Sequence, residues 1–381
     1  MDWKSIEAIQ TNGVQWLRAN HIKAFYKVSR HTDFHTGARA SLEMSGLGKL
    51  KPNMMLVGFK EGWRETPSEA KEYYKVLQVA FEMKLSVGVL RLSGGLDISG
   101  QGPADIFTIE RIKRFTSQTS VDSGVDDKDS SNSPPSSSYS PQPEYKQSKR
   151  LRLPSNILNR VRGSQKTQDP AVLTSSKGNE IHDTAVVKSM TQFKGVDKVD
   201  GFIDVYWLYD DGGLTLLLPY ILTTRKKFEK AQLRIFILGA DKDISQDLNN
   251  MEEMMFRLRI NCHQITVLSE ADQYPGKATR DEFSSMISPF TKTDNADDQP
   301  LLTDTELKNN NDRTVFHLRL AEIVRDRSKD SILVIMTLPL PKMDDSIPYP
   351  LYLAWLDILT IRMPPFLLVR GNQDSVLSMY L

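Results

Sequence analysis

The stretch from Gly201 to Lys227, GFIDVYWLYDDGGLTLLLPYILTTRKK, restricts the fold more than any other part of the chain. Phe202 to Tyr209 is rich in aromatic and β-branched residues, which suits a buried strand. Asp210, Asp211, Gly212 and Gly213 end it. Glycine reaches positive φ without steric cost, and aspartate bonds nearby backbone amides, so the chain can turn sharply here. Leu214 to Leu222 is apolar and long enough for roughly two to three helical turns. Arg225, Lys226 and Lys227 follow, where cations suit a helix C-terminus. A strand, an acidic-glycine turn, a buried helix and a basic end make one unit of a layered α/β fold.

The turn admits two readings. One is an acidic metal or phosphate site, because α/β folds place ligands at the carboxyl ends of strands. The other is a structural turn whose aspartates cap the helix. The second carries more weight, since aspartate-glycine pairs are ordinary turn chemistry and no Walker or Rossmann spacing surrounds them.

The rest of the chain repeats the alternation. Trp3 to Leu17 has amphipathic helical spacing, weakened by Asn12-Gly13. Ala24 to Val28 reads as a short strand and Asp33 to Leu47 as a helix stopped by GLGKLKP. Met54 to Phe59 is a continuous apolar run, as in a strand covered on both faces. Thr66-Pro67-Ser68-Glu69 is a helix start, with a capping threonine, a first-turn proline and a glutamate three residues on. Val87 to Leu92 is the next strand. After the Gly201–Lys227 unit, strands are expected at Leu233–Leu238, Gln264–Leu268, Ser331–Leu338 and Phe366–Val369. Helices are expected at Leu248–Ile260, Thr279–Ile287, Thr314–Arg327 and Tyr349–Thr360, with a loop from Phe290 to Asn311. Met251, Met254 and Met255 form a stripe read as adaptable core. The order implies crossovers and parallel strands.

Composition narrows the function classes. Lys+Arg is 49 and Asp+Glu is 48, so no global field draws the chain to nucleic acid or anionic lipid. Cys262 is the lone cysteine, which excludes an internal disulfide framework and a cysteine zinc cluster. A reducing setting is consistent with that. No stretch approaches the roughly 18 to 20 apolar residues of a membrane span, and MDWKSIEAIQ has no signal-peptide core.

From Phe115 to Val199 the composition shifts. Ser130 to Pro143, SSNSPPSSSYSPQP, has almost nothing to bury and is expected to be disordered. Lys149, Arg150, Arg152, Arg160 and Arg162 surround Ile157, Leu158 and Val161. This is either a basic amphipathic segment for an acidic surface or a solvated linker, and the linker reading is favoured by its shortness and by Pro154. Thr116, Ser117, Ser120 and Ser123 are hydroxyls where phosphorylation would add charge.

Catalytic constellations fail. His31 and His35 sit at i,i+4 across an expected loop, a weak metal pair. Cys262 and His263 are adjacent, so on a strand they point to opposite faces and make no dyad. Gly46 with Gly48, and Gly94-Gly95, match no phosphate-loop spacing and read as turns. No catalytic, metal or cofactor-binding residue is assigned.

Several ordered segments carry a resemblance. WLYDDGGLTLLLPYILTTRKKF, MSGLGKLKPNMMLVGFKEGW (Met44 to Trp63), LRLSGGLDIS (Leu90 to Ser99), QLRIFILG (Gln232 to Gly239), HLRLAEIV, LYLAWLDIL (Leu351 to Leu359) and the end PPFLLVRGNQDSVLSMYL (Pro364 to Leu381) resemble the cytosolic C-terminal domain of cation-chloride cotransporters, the sodium-(potassium-)chloride branch in particular. The resemblance covers nearly the whole chain except Phe115 to Val199. It implies two three-layer α/β halves with mostly parallel sheets, universal-stress-protein-like, at 1–114 and 200–381, joined by a disordered linker at 115–199. It also implies that the first half is truncated at its N-terminus relative to the family. The expected function is a non-catalytic regulatory and dimerisation domain on the cytoplasmic face of a membrane, with no transport pore of its own. Its expected partners are a second copy, the parent's membrane domain and regulatory kinases, with no nucleic acid. Some relatives bind ATP in this domain, but much of that pocket is expected from a first strand and loop that the chain lacks, so no cofactor is assigned. The alternative from the residues alone is a nucleotide-binding α/β protein or enzyme using Asp210 and Asp211.

Overall fold

Apolar runs become strands and amphipathic runs become helices at nearly every expected place. The computed structural model describes residues 3–19, 22–46, 48, 51–92, 198–239, 244–291, 300–342, 344, 346–372 and 374–377. The linker at 115–199 lies outside them but for its last two residues. The strands are β1 (Met54–Gly58), β2 (Ser86–Arg91), β3 (Asp200–Trp207), β4 (Lys230–Leu238), β5 (Gln264–Leu268), β6 (Leu333–Thr337) and β7 (Phe366–Arg370). The helices are α1 (Trp3–Ala19), α2 (Phe34–Met44), α3 (Pro67–Glu82), α4 (Leu214–Thr223), α5 (Ile244–Leu258), α6 (Lys277–Thr291), α7 (Asp304–Asn309), α8 (Asn311–Arg327) and α9 (Tyr349–Thr360).

The α/β class and the mostly parallel sheet are as expected. The strands of both halves join in one sheet of order β1-β2-β7-β6-β3-β4-β5. Every neighbouring pair is parallel except β2 with β7, whose antiparallel pairing runs from Val87 opposite Arg370 to Arg91 opposite Phe366. That seam joins residues almost three hundred positions apart, and no local pattern announces it.

Alternation along the strands divides the core between two faces. Tyr206, Phe236, Val334, Met336, Phe366 and Leu368 pack with α3, α6, α8 and α9. Ile203, Val205, Leu233, Ile235, Leu333 and Ile335 pack with α4 and α5. Three layers result. Helix α9 is buried from Pro350 to Thr360, as a helix apolar all round must be. Met251 and Met255 are buried on the α5 side, which places the methionine stripe in the core.

Departures from the expected pattern have local causes. Ala24 to Val28 is not a strand: no strand among the described residues pairs with it, and an isolated extended segment leaves its amides to water. Helix α1 runs through Asn12-Gly13, where a Cβ on Gly13 would lie 2.4 Å from the Tyr26 ring. Helix α3 starts at Pro67, but Thr66 makes no cap; its hydroxyl donates to the Gly62 carbonyl, and Glu69 takes Lys60 instead. The expected loop after Phe290 contains α7, started by a capping box in which Thr303 and Glu306 bond each other reciprocally.

Two clusters of a half-buried arginine on a buried aspartate tie the layers. On β3 and β4, Asp204 and Arg234 are cross-strand partners, so their side chains meet on one face. The guanidinium donates to both carboxylate oxygens at 2.7 Å and lies 4.4 Å over the Phe202 ring. Ser328 and Ser331 each donate to Asp204 at 2.5 Å, and Tyr206 bonds Ser328. The Asp204 hydrogen bond holds the Arg234 pKa above its ordinary value, against the opposing effect of burial. In the second cluster, Arg91 of β2 donates to Asp357 of α9 at 2.7 Å and to both oxygens of Glu61, and lies 4.5 Å over Phe59. Trp63 donates to the other oxygen of Asp357 at 3.0 Å.

Candidate functional site

The acidic-glycine turn lies at the carboxyl end of β3. There β6 flanks β3 on one side and β4 on the other, so the strand order reverses between β3 and β6. Crevices at such reversals commonly hold ligands. Here the turn is filled by the chain itself. Asp211 is buried, and its carboxylate accepts from the amides of Gly213, Thr215 and Gly371 and from the Thr215 hydroxyl, at 2.8 to 3.2 Å. A carboxylate offers about four acceptor sites. Three of the donors meet on Oδ2 and one on Oδ1, so the buried carboxylate is engaged by the chain's own amides and hydroxyl. Asp210 is exposed and accepts from the Gly212 amide at 3.0 Å.

The glycines are needed for what lies against them. Gly212 and Gly213 have φ of 79° and 89°. A Cβ on Gly212 would sit 2.2 Å from the Asp374 carbonyl oxygen, and one on Gly213 would sit 2.5 Å from Leu377. Between them the Gly212 carbonyl accepts the Val376 amide at 2.9 Å. The segment after β7 is thus seated on the turn, and Val376 and Leu377 pack at the edge of the core under α4. The turn caps α4, ties in the end of β7 through Gly371 and receives the tail. This geometry favours the structural reading of Asp210 and Asp211 over a metal or phosphate site.

Other sequence features disperse. His31 precedes α2 and His35 lies in its first turn. Among the described residues no group of three His, Cys, Asp or Glu side chains is placed to hold a metal. Cys262 packs toward the α5 side, while the His263 ring lies 5.2 Å from Phe202 on the opposite face, so no dyad forms. Burial raises the Cys262 pKa, the direction of an unreactive thiol. Gly46 and Gly48 have positive φ, as turns require. Gly94-Gly95, the basic segment around Arg150 and the hydroxyls Thr116, Ser117, Ser120 and Ser123 lie outside the described residues.

Sequence reasoning missed both arginine–aspartate clusters. The signal was present: Asp204, Arg234, Arg91 and Asp357 each interrupt an apolar run, and a charge in such a place needs a partner. Which charge meets which is decided by register and docking.

Fold and turn together define a helix-covered, mostly parallel α/β domain closed by its own C-terminal segment. The chain belongs to solute carrier family 12, the cation-chloride cotransporters, whose family profile matches residues 2–381. It is 32% identical to a bumetanide-sensitive sodium-(potassium)-chloride cotransporter of Manduca sexta, over 96% of this chain and 36% of the relative. It is 32% identical to human solute carrier family 12 member 1, over 96% of this chain and 33% of that protein. It is 33% identical to human member 2, over 99% of this chain and 31% of that one. The chain therefore spans about a third of the length of these relatives. No helix among the described residues is long and apolar enough to cross a membrane.

Proposed function

We propose that this chain works as a cytosolic regulatory and dimerisation domain of a sodium-coupled chloride cotransporter, and that it performs no chemistry of its own. The observation that carries the reading is the match from end to end of the chain to a third of each cotransporter, joined to the absence of a membrane-spanning helix among the described residues. In this reading the parent moves sodium and chloride, with or without potassium. The α/β domain biases its cycle by making different contacts in different states, since only a differential interaction can shift a conformational equilibrium. A second copy, the membrane domain and kinases acting on the linker hydroxyls supply those contacts. The Asp211 carboxylate, buried and bonded to the chain's own amides, suits a domain built for packing surfaces.

The test is sedimentation of the purified chain over a wide concentration range, paired with an assay for nucleotide turnover. Reversible dimers and no turnover are expected. A chain that stays monomeric at every concentration removes the dimerisation role. Turnover that vanishes in Asp210→Ala overturns the non-catalytic reading.

A further inference from the structure

The carboxyl ends of β3 and β4 and one side of α5 border a cavity of about 310 Å³. Its apolar lining includes Leu238 of β4 and Met251 and Met254 of α5. Two carboxylates, Asp210 and Asp247, lie on the same lining, and among the described residues no Lys, Arg or His does. Every charged side chain described there is therefore negative. Asp210 is exposed and uses Oδ1 for the Gly212 amide, while its Oδ2 accepts no hydrogen bond among the described residues.

Trp207 is the second, independent observation. It is the last residue of β3, and alternation along the strand sets it with Ile203 and Val205 on the α5 side of the sheet. Its ring lines the cavity, and its indole Nε1 is sealed from solvent with no hydrogen-bond partner. Buried polar atoms nearly always have a partner, so an orphan donor on a cavity wall marks a place where a ligand completes the hydrogen bonding. An indole N–H only donates, so the group that completes it is an acceptor. The volume lies at the small end of ligand pockets.

We propose that this cavity binds a small primary amine that also carries an oxygen acceptor, with Asp210 and Asp247 on the ammonium and the Trp207 N–H on the oxygen. The site does not depend on the dimerisation reading. The carboxylates select a cation, because ionised partners make the stronger hydrogen bonds. The face of an indole attracts a cation as well. Met251 and Met254 supply a soft apolar surface for the carbon chain between the two ends.

The probe is aminopentanol, titrated into the whole chain isotopically labelled at tryptophan, with pentylamine and pentanediol as separate arms. NMR follows the indole N–H signals of the five tryptophans, and Trp207→Phe identifies the one that belongs to Trp207. That signal is expected to move saturably, with a Kd at or below about 5 mM, a weak affinity suited to so small a ligand. Pentylamine keeps the charge without the oxygen and is expected to bind about fivefold more weakly. Pentanediol keeps the oxygen without the charge and is expected to bind at least about tenfold more weakly. Asp210→Asn combined with Asp247→Asn is expected to weaken aminopentanol at least about tenfold. Both substitutions keep the side-chain shape and an acceptor oxygen for the Gly212 amide, so the turn is kept. Trp207→Phe, read from the ligand's own signals, is expected to weaken aminopentanol about fivefold and pentylamine by less, since pentylamine has no oxygen for the indole N–H. Asp281→Asn, exposed on α6, should bind as wild type. A Trp207 signal that does not move, or equal binding by the double variant, overturns the proposal. Pentylamine binding as tightly as aminopentanol overturns the role of the indole N–H, and pentanediol binding as tightly overturns the choice of a cation. A lysine capped as its acetyl methylamide that binds more tightly than aminopentanol overturns the small-molecule assignment in favour of a peptide lysine.

Discussion

The two arginine clusters are built from the same parts and do different work. Each sets a strand arginine over a phenylalanine ring and against an aspartate that is almost wholly buried. Arg234 and Asp204 lie 30 residues apart on adjacent interior strands and tie β3 to β4 within the second half. Arg91 and Asp357 lie 266 residues apart and hold β2 of the first half to α9 of the second. The first cluster follows from strand register. The second exists only because the halves share a sheet, so it reports on their docking. Their partners differ as well. Asp204 is the one carboxylate bonded to Arg234, whereas Arg91 keeps both oxygens of Glu61 if Asp357 is lost.

That difference sets an order of effects. Asp204→Ala should be the most damaging change, lowering the unfolding free energy in urea titration by about 3 to 4 kcal/mol, because it leaves the half-buried Arg234 without its counter-ion and the buried Ser328 and Ser331 hydroxyls without their acceptor. Asp357→Ala should cost less, roughly 2 to 3 kcal/mol, since Glu61 still neutralises Arg91 while the Trp63 N–H loses its acceptor. Equal losses in the two variants would mean that Glu61 does not buffer its cluster.

His317 sharpens the contrast, because it is a buried titratable group without any ion partner. Burial, with the Arg313 charge nearby, pushes its pKa down from 6.5 to about 3. The unfolded chain therefore takes up a proton near pH 6.5 that the folded chain refuses until about pH 3. Stability from this group is full above the unfolded value and falls as pH drops through that window. The slope is about 1.4 kcal/mol per pH unit for one proton. Subtracting a His317→Gln titration from the wild-type one should isolate this slope; curves that stay parallel from pH 7 to pH 4 would rule it out. The smallest effect belongs to the exposed pair of Lys60 and Glu69. Glu69→Gln should change the unfolding free energy by less than about 1 kcal/mol, as an exposed ion pair does.

The turn teaches a related lesson. DDGG announced a sharp reversal in the sequence, and its glycine φ values and aspartate-to-amide bonds are those of a turn. Its third function was not legible. Nothing local to residues 210–213 says that Gly371 donates to Asp211, or that Val376 bonds the Gly212 carbonyl.

Periodicity, β-branched runs and turn residues by themselves determined that this chain makes parallel strands alternating with helices, where most of them begin and end, and which methionines enter the core. Those are properties of short windows, and backbone sterics and side-chain spacing act within such windows. The tertiary structure alone decided that the two halves share one sheet through an antiparallel seam, that Arg91 reaches Asp357, and that the final segment closes the Asp211 turn. Burial leaves a charge or an amide no solvent to fall back on, so each must find its partner in three dimensions, however far away that partner lies along the chain.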